Sequence, residues 1–445
     1  MIKFIRFEII RNLRRKRVRV LTLLLILCEF ITLAALNDKS KNEDVFSLSD
    51  GSTTVSVMTR TTLSDEDTQF IEKQVEKVNV KGSFFDYYKN TKQWKKMYLT
   101  GMEVYCYQVD TRTSIPIESQ STFDYTNHVE ELKKIQKEYN LTSVPKNPKG
   151  TTWFQPIGTV GYEMIPFYQQ GTRYFERLYK NNLNPLCYSS VDSSTVLIQL
   201  VRNVFNVLLP VLIVLLFFDL KKSYKDSGVD KSLMVIPNLK DKFYLYEYVA
   251  NFILIALIVL IPVLLISIAL GIKNGFQNFL YPILCNTKGI FGFEFSKINN
   301  FTYDTQWCIQ NNAMYNYGLT YLSTEMARNP YLDFTSLWCV VVLTILMMIL
   351  LIGVYYQLSF IISYLFKNSY FGLFFLLLLL LILCLLSPLG SSNMLNMINP
   401  ITYRDPTMII TGTSCFPYSI GMIVLFSYNL ILYALGKFIF KKKFY

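Results

Sequence analysis

Two ionisable side chains interrupt otherwise apolar runs and are the sharpest chemical signal in the chain, Glu29 and Arg202. Counted from the basic residues that precede it, Glu29 lies about 12 residues in, roughly 18 Å into a hydrocarbon core of ~30 Å. Arg202 enters its own run from the other side by about 7 residues, roughly 10 Å. An isolated charge at such depth costs at least ~2.5–3.5 kcal/mol on insertion scales. Two outcomes are open. Either the pair meets across neighbouring helices or faces a polar cavity, or Arg202 snorkels to the interface while Glu29 stays neutral or interfacial. Asn203 and Asn206 continue the polar stripe and either bond helices together or line a path.

The remaining reactive residue types argue mainly by exclusion. A single histidine, His128, cannot assemble a multi-histidine zinc site, and on a solvated helix face it is an ordinary surface residue. No Gly-x-x-x-x-Gly-Lys-Ser/Thr, His-Glu-x-x-His or Gly-x-Ser-x-Gly segment occurs, so no catalytic or metal site and no cofactor of its own is expected for this chain. Of eight cysteines, Cys28, Cys339 and Cys384 fall in apolar runs. Cys106, Cys187, Cys285 and Cys308 lie in polar segments, with Cys415 at a membrane edge. Four such cysteines allow three pairings, of which Cys106–Cys187 and Cys285–Cys308 keep each bridge within one segment; free buried thiols are the alternative.

These residues must be positioned by membrane-spanning helices. Hydrophobic residues make up 51% of the chain and charged ones only 17%, with mean hydropathy +0.28, against roughly a quarter charged in soluble chains. Six runs are long enough to cross a bilayer, at 18–36, 195–218, 248–272, 335–362, 370–390 and 418–436. The net charge of +12 then resolves into a topology signal. Residues 1–19 contribute +7, the 219–247 loop +1, Lys367 another, and the tail at 437–445 four lysines, whereas residues 37–194 carry 19 basic against 20 acidic groups. The positive-inside rule therefore predicts both termini inside, and the excess needs no nucleic-acid partner. A cleavable signal peptide competes for the first run. It is disfavoured by the long basic leader, by Glu29, and by the reversed C-terminus it would leave.

Around the spans, residues 1–17 place Ile2, Ile5, Ile9 and Leu13 at helical spacing, which predicts an amphipathic helix at the inner membrane surface; a charged topogenic leader is the simpler reading. Residues 37–194 are large enough for an outside domain. Helices are expected from Ser64 to Val78 and through Val129, Leu132, Ile135 and Tyr139. Strands are expected at Thr53–Met58, Met97–Leu99, Val104–Val109 and Phe154–Val160, giving an inserted α/β ectodomain whose aromatic residues serve either a ligand surface or simply its core. Segment 273–334 is predicted to cap that domain. In 391–417, Asn399-Pro400-Ile401 and Arg404-Asp405-Pro406 break regular helix and predict a re-entrant pair of short helices.

The loop after the second span reads Lys225-Asp226-Ser227-Gly228-Val229-Asp230-Lys231-Ser232-Leu233-Met234-Val235-Ile236-Pro237-Asn238-Leu239-Lys240. It resembles the coupling loop of permease subunits of ATP-binding-cassette (ABC) transporters of the type-2, or type V exporter, class. Members carry an acidic residue two before a Gly, a Pro nine after that Gly and a basic residue three after the Pro, here Asp226, Gly228, Pro237 and Lys240. Asp in place of Glu, Val229 in place of Thr, and Glu247 where Lys is common are departures. Apolar Leu233, Met234 and Ile236 ahead of Pro237 suit a short helix docking in a partner's groove.

The resemblance implies a permease that works as a dimer, with itself or a related permease, and with separate cytosolic ATPase subunits that hold ATP and Mg. It implies a conduit near the second and fifth spans and a substrate that is a peptide, lipopeptide or other amphipathic molecule. The cell context it implies is a bacterial plasma membrane, for export or self-protection against antimicrobial peptides. A transmembrane sensor or scaffold, binding a cell-envelope ligand without transport, is the alternative.

Overall fold

The computed structural model describes residues 2–41, 87–113, 126–141, 165–187, 189–220, 222, 224, 239–295, 332–387, 394–412, 414 and 416–444. Six helices are long and apolar enough to cross a membrane: Lys16–Ser40 (α2), Val196–Phe217 (α6), Lys242–Asn274 within α7 (Leu239–Asn274), Leu337–Leu365 (α9), Ser369–Leu386 (α10) and Tyr418–Lys442 within α12 (Tyr418–Phe444). The chain is a helical, multi-pass membrane protein. α6 and α9 are the most enclosed, while α2, α10 and α12 turn most of their surface outward. Isoleucines, leucines and phenylalanines on those outward faces, such as Leu23, Phe374 and Ile431, have no use in water and are suited to lipid.

α9 is the hub. It packs on α6, α7, α10 and α12. Where α9 and α12 cross, Gly353 lets Asn429 approach within the space a Cβ would take, and Gly421 does the same for the ring of Tyr403. The third span begins earlier than hydropathy predicts. α7 starts at Leu239, so Lys240 and Glu247, expected in a loop ending at 247, are helical.

The ends of the helices sort into two groups. At one, here called the basic end, α1 (Ile2–Arg14) and the start of α2 meet the end of α6, the start of α7, and the ends of α9 and α12. Ring contacts Phe4–Phe243 (5.5 Å), Phe243–Phe440 (5.6 Å) and Tyr244–Phe360 (5.0 Å) hold them together. At the far end, Ser193 Oγ donates to Gly275 O (3.1 Å) and Leu337 N to Tyr281 O (2.9 Å).

The far end carries the described part of the polar region: α3 (Trp94–Thr113), α4 (Thr126–Glu138) and α5 (Ile165–Lys180), with β1 (Pro282–Asn286), the short α8 (Thr287–Phe291) and β2 (Leu332–Ser336). β1 and β2 form one antiparallel ladder, Pro282 opposite Ser336 and Asn286 opposite Leu332. The strands expected at Met97–Leu99 and Val104–Val109 are instead turns of α3. Their aromatic residues satisfy a helical contact, because rings of each helix lie over a glycine of the other: Phe175 over Gly101 and Tyr105 over Gly171. No side chain fits there, so β-propensity yields to close helix packing. The second expected helix is α4. The first, at Ser64 to Val78, and the strands at Thr53–Met58 and Phe154–Val160 lie outside the described residues.

Segment 273–334 meets α5 directly. The hydroxyls of Tyr174 and Tyr281 are 2.5 Å apart, Arg177 Nη1 donates to Phe334 O (2.9 Å), and Arg173 bridges Glu131 (3.2 Å) and Asp333 (3.1 Å). Between α10 and α12 the chain makes two 3₁₀ turns, Met394–Met397 and Pro400–Arg404, and the short helix α11, Pro406–Ile410.

Candidate functional site: buried polar groups at the basic end and within the spans

α1 docks through a mixed face, with Phe4 and Ile9 packed on the core beside two buried polar residues. Glu8 and Asn12 are fully buried, Ile5 and Ile9 half-buried, and Phe7, Ile10 and Leu13 exposed. Of the residues at helical spacing, Ile5 and Ile9 are turned partly into the bundle and Leu13 away from it. The outward apolar set is Phe7, Ile10 and Leu13, because the bundle offers α1 polar partners and takes its acidic edge.

Those partners flank the 225–238 segment on both sides. On the α6 side, the Tyr224 hydroxyl donates to Glu8 Oε2 (3.4 Å) and the Arg11 guanidinium lies 4.3 Å over the Tyr224 ring, itself 2.6 Å from Glu8. On the α7 side, Asn12 Nδ2 donates to Asn251 Oδ1 (2.7 Å), and Asn251 Nδ2 to the Tyr356 hydroxyl of α9 (3.0 Å). Glu247 is fully buried with no hydrogen bond to either carboxylate oxygen, and lies within electrostatic reach of Tyr224, Glu8, Arg11 and Arg15. Beside this cluster Arg17 grips Asp219 (2.8 Å) and the Leu216 carbonyl (3.1 Å) and stacks on Phe218.

Burial pushes the Glu8 carboxyl above the usual carboxylate range although Arg11, Tyr224 and Arg15 pull it down. Burial likewise lowers Arg15 and raises Tyr224 well above an ordinary phenol.

Within the spans, α2 turns Val18, Leu25, Glu29 and Leu33 inward. Glu29 is fully buried, and neither carboxylate oxygen has a hydrogen-bond partner. No ion pair joins it to Arg202. The reason lies in α6, whose residues Val201–Phe205 form a π turn. Such a turn inserts one extra residue into the helix and redirects the side chains beside it. Arg202, buried, reaches back to Gln199 Oε1 (3.5 Å), and Gln199 in turn donates to Ser190 O (3.2 Å). Asn203 donates to Gln199 O (2.8 Å) on its own helix and is exposed on the bundle surface, while Asn206 is half-buried.

The interrupted segment before α12 is built from caps. Asn399 Nδ2 donates to Leu383 O (2.8 Å) while its Oδ1 accepts from Ile401 N (3.0 Å). Pro400 opens the following turn, Arg404 Nη1 donates to Ser387 O (3.0 Å), and Asp405 Oδ1 accepts from Thr407 N (3.1 Å). Each satisfies a backbone group that irregular chain would otherwise leave without a partner.

Cys106 and Cys187 are not joined by a disulfide. The Cys187 thiol instead donates to Ser40 O (3.6 Å) and sits 3.0 Å from Ser190 Oγ. Cys285 is a buried thiol in β1, and Cys308 lies outside the described residues. Of the coupling positions, Asp226, Gly228, Leu233, Met234, Ile236 and Pro237 also lie outside them, and Lys240 is in the first turn of α7. Among the described residues no group of His, Cys, Asp and Glu is arranged to hold a metal.

Sequence reasoning missed the cluster at the basic end. A signal was present: Glu8 is the single acid among eight basic residues in 1–19, and Asn251 interrupts the third apolar run. Fold and site together define a helical polytopic membrane protein with a charged helix docked across the flanks of one connecting segment. No family model, curated protein or solved structure matches the chain.

Proposed function

We propose that this protein is the permease half of an ATP-driven ABC exporter. It lies in the plasma membrane of a bacterium with both termini inside, has no ATPase site of its own, and pairs with a second copy or a related permease. Separate cytosolic ATPase subunits, holding ATP and Mg, dock on the Asp226 to Lys240 segment, with Leu233, Met234 and Ile236 as the apolar contact and Pro237 as the stop. The substrate is a peptide, lipopeptide or similarly amphipathic molecule that passes between protomers beside the second and fifth spans, with the interrupted segment at Asn399 to Asp405 as its lid and a large outside domain above.

The observation that carries this reading is the anchoring of that segment's flanks. Tyr224 on one side and Asn251 on the other are buried in the bundle and hydrogen-bonded to α1, so a force applied between them reaches three helices at once. A connecting turn with no mechanical role needs no such anchorage. The six apolar helices and the motif residues support the same reading.

Purification from native membranes tests it. The chain is expected to bring down an ATP-binding-cassette ATPase whose hydrolysis it stimulates, and Asp226→Ala or Pro237→Ala is expected to reduce that stimulation severalfold while the chain remains folded. Stimulation unchanged in both variants would remove the coupling role. An associated ATPase without transport in vesicles would favour a sensor.

A further inference from the structure

The outer side of α1 is one continuous surface of mixed chemistry. At the helical repeat its exposed residues Leu13, Arg6, Ile10, Lys3, Arg14 and Phe7 fall side by side, in that order, within an arc of roughly 120°. Apolar and basic side chains interleave on this arc, and no acid of α1 shares it. The single acid of the helix, Glu8, is buried and paired with Arg11 at 2.6 Å. Two further acids at the basic end are also taken up within the bundle, Asp219 by its bridge to Arg17 and Glu247 by full burial.

Long cations set among apolar side chains suit neither bulk water nor hydrocarbon. Lys and Arg lay their stems along apolar surface and carry the charge away from it, so such a face is satisfied where acyl chains give way to headgroups. Its neighbours place it at that level. α2 follows the extended residue Arg15 and exposes Arg19, Val20 and Leu23 on its first turns, at the start of a span whose surface is turned mostly outward. Arg19 Nη2 donates back to Arg14 O (3.3 Å), joining the end of α1 to that span. Phe4 packs on Phe243 and Phe243 on Phe440, which brings exposed Lys437 and Lys441 of α12 to the same end.

We propose that the outer face of α1 is a docking surface for anionic phospholipids of the leaflet at the basic end. Headgroup phosphates pair with Lys3, Arg6 and Arg14, while Phe7, Ile10 and Leu13 enter the acyl boundary beside them. A zwitterionic lipid covers the apolar side chains but offers the cations no net charge, whereas an anionic lipid satisfies both. Phe4 and Ile9 hold the inner side of α1 on the core, so the face is formed before lipid arrives and little ordering cost opposes binding. Nothing in this depends on the transporter reading, because it requires only that the six apolar helices lie in a bilayer.

Native mass spectrometry of the full-length protein, equilibrated with phosphatidylglycerol and phosphatidylcholine, tests it through the ratio of the two lipids retained. Phosphatidylglycerol is expected to be preferred, and the preference to weaken as ionic strength rises. Lys3→Gln, Arg6→Gln and Arg14→Gln together are expected to abolish most of it, at roughly fivefold for each charge that meets a headgroup. The same number of exposed charges removed from α4, by Lys133→Gln, Lys134→Gln and Lys137→Gln, is expected to leave it unchanged. Phe7→Ser with Leu13→Ser is expected to lower retention of both lipids and keep their ratio. No preference in the parent protein, a preference that survives the triple variant of α1, or an equal loss in the α4 variant would overturn the surface. Displacement of phosphatidylglycerol by millimolar inorganic phosphate would overturn it too, since a free anion cannot replace a lipid held by its acyl boundary.

Discussion

Two acids on consecutive helices are buried equally and held quite differently. Glu8 of α1 has Arg11 at 2.6 Å, the Tyr224 hydroxyl, and the carboxyl of Glu247 close by. Glu29 of α2 has only apolar neighbours on its face and no hydrogen bond. The difference teaches that depth alone does not decide how a charge is accommodated. At the end of the bundle, four polypeptide segments converge and can each contribute a polar group. Midway along α2, one face meets one helix, and the π turn of α6 directs its arginine back to Gln199.

The contrast is sharpest in its first consequence. Glu8→Leu strands the Arg11 guanidinium in a buried site, and loss of one partner of such a pair costs about 3–5 kcal/mol. Denaturation in detergent should show it, and a change below about 1 kcal/mol would mean that the cluster holds nothing. Glu29→Leu is expected to act with the opposite sign. It removes a polar group with no partner, whose desolvation is worth about 1–3 kcal/mol, so the variant should unfold later than the parent. Destabilisation there would reveal a partner for Glu29 and erase the contrast.

Smaller effects refine the comparison. Asn12→Ala breaks one neutral hydrogen bond and should cost about 1 kcal/mol, whereas Asn251→Ala also breaks the bond to Tyr356 and should cost more, with the double variant little worse than Asn251→Ala alone. Deeper in the bundle, Gln357 Nε2 donates to Asn429 Oδ1 at 3.0 Å. A double-mutant cycle there should give a coupling near ~0.6 kcal/mol, the usual size of such bonds within membranes. A coupling above that found for Asn12 with Asn251 would place the stronger polar contact inside the bundle and not at its end.

Much of this fold was legible before any coordinates. Hydropathy located all six spanning helices because lipid imposes a length and a composition that can be summed along the chain. Helix α4 was legible from the spacing of Val129, Leu132 and Ile135. Strands assigned at Met97–Leu99 and Val104–Val109 failed because tyrosine and valine favour a pleated surface only on average. Gly101 and Gly171 allow two helices to approach until rings of one fill the gaps of the other, and nothing local announces that pairing. The Cys106–Cys187 bridge failed for a similar reason, since two cysteines in one segment share a segment and not a location.

The chain's amino acids by themselves determined that it crosses a membrane, where it does so, and that its surplus positive charge gathers beside the ends of the spans. Each is an additive property of consecutive residues. Only the tertiary structure decided which face of α1 is buried, that Asn12 finds Asn251 across 239 positions of sequence, and that Glu8 acquires partners while Glu29 does not. A side chain's free energy in a protein interior depends on the few groups within hydrogen-bonding reach, and those are brought together by the packing of helices, at distances along the chain that no local pattern encodes.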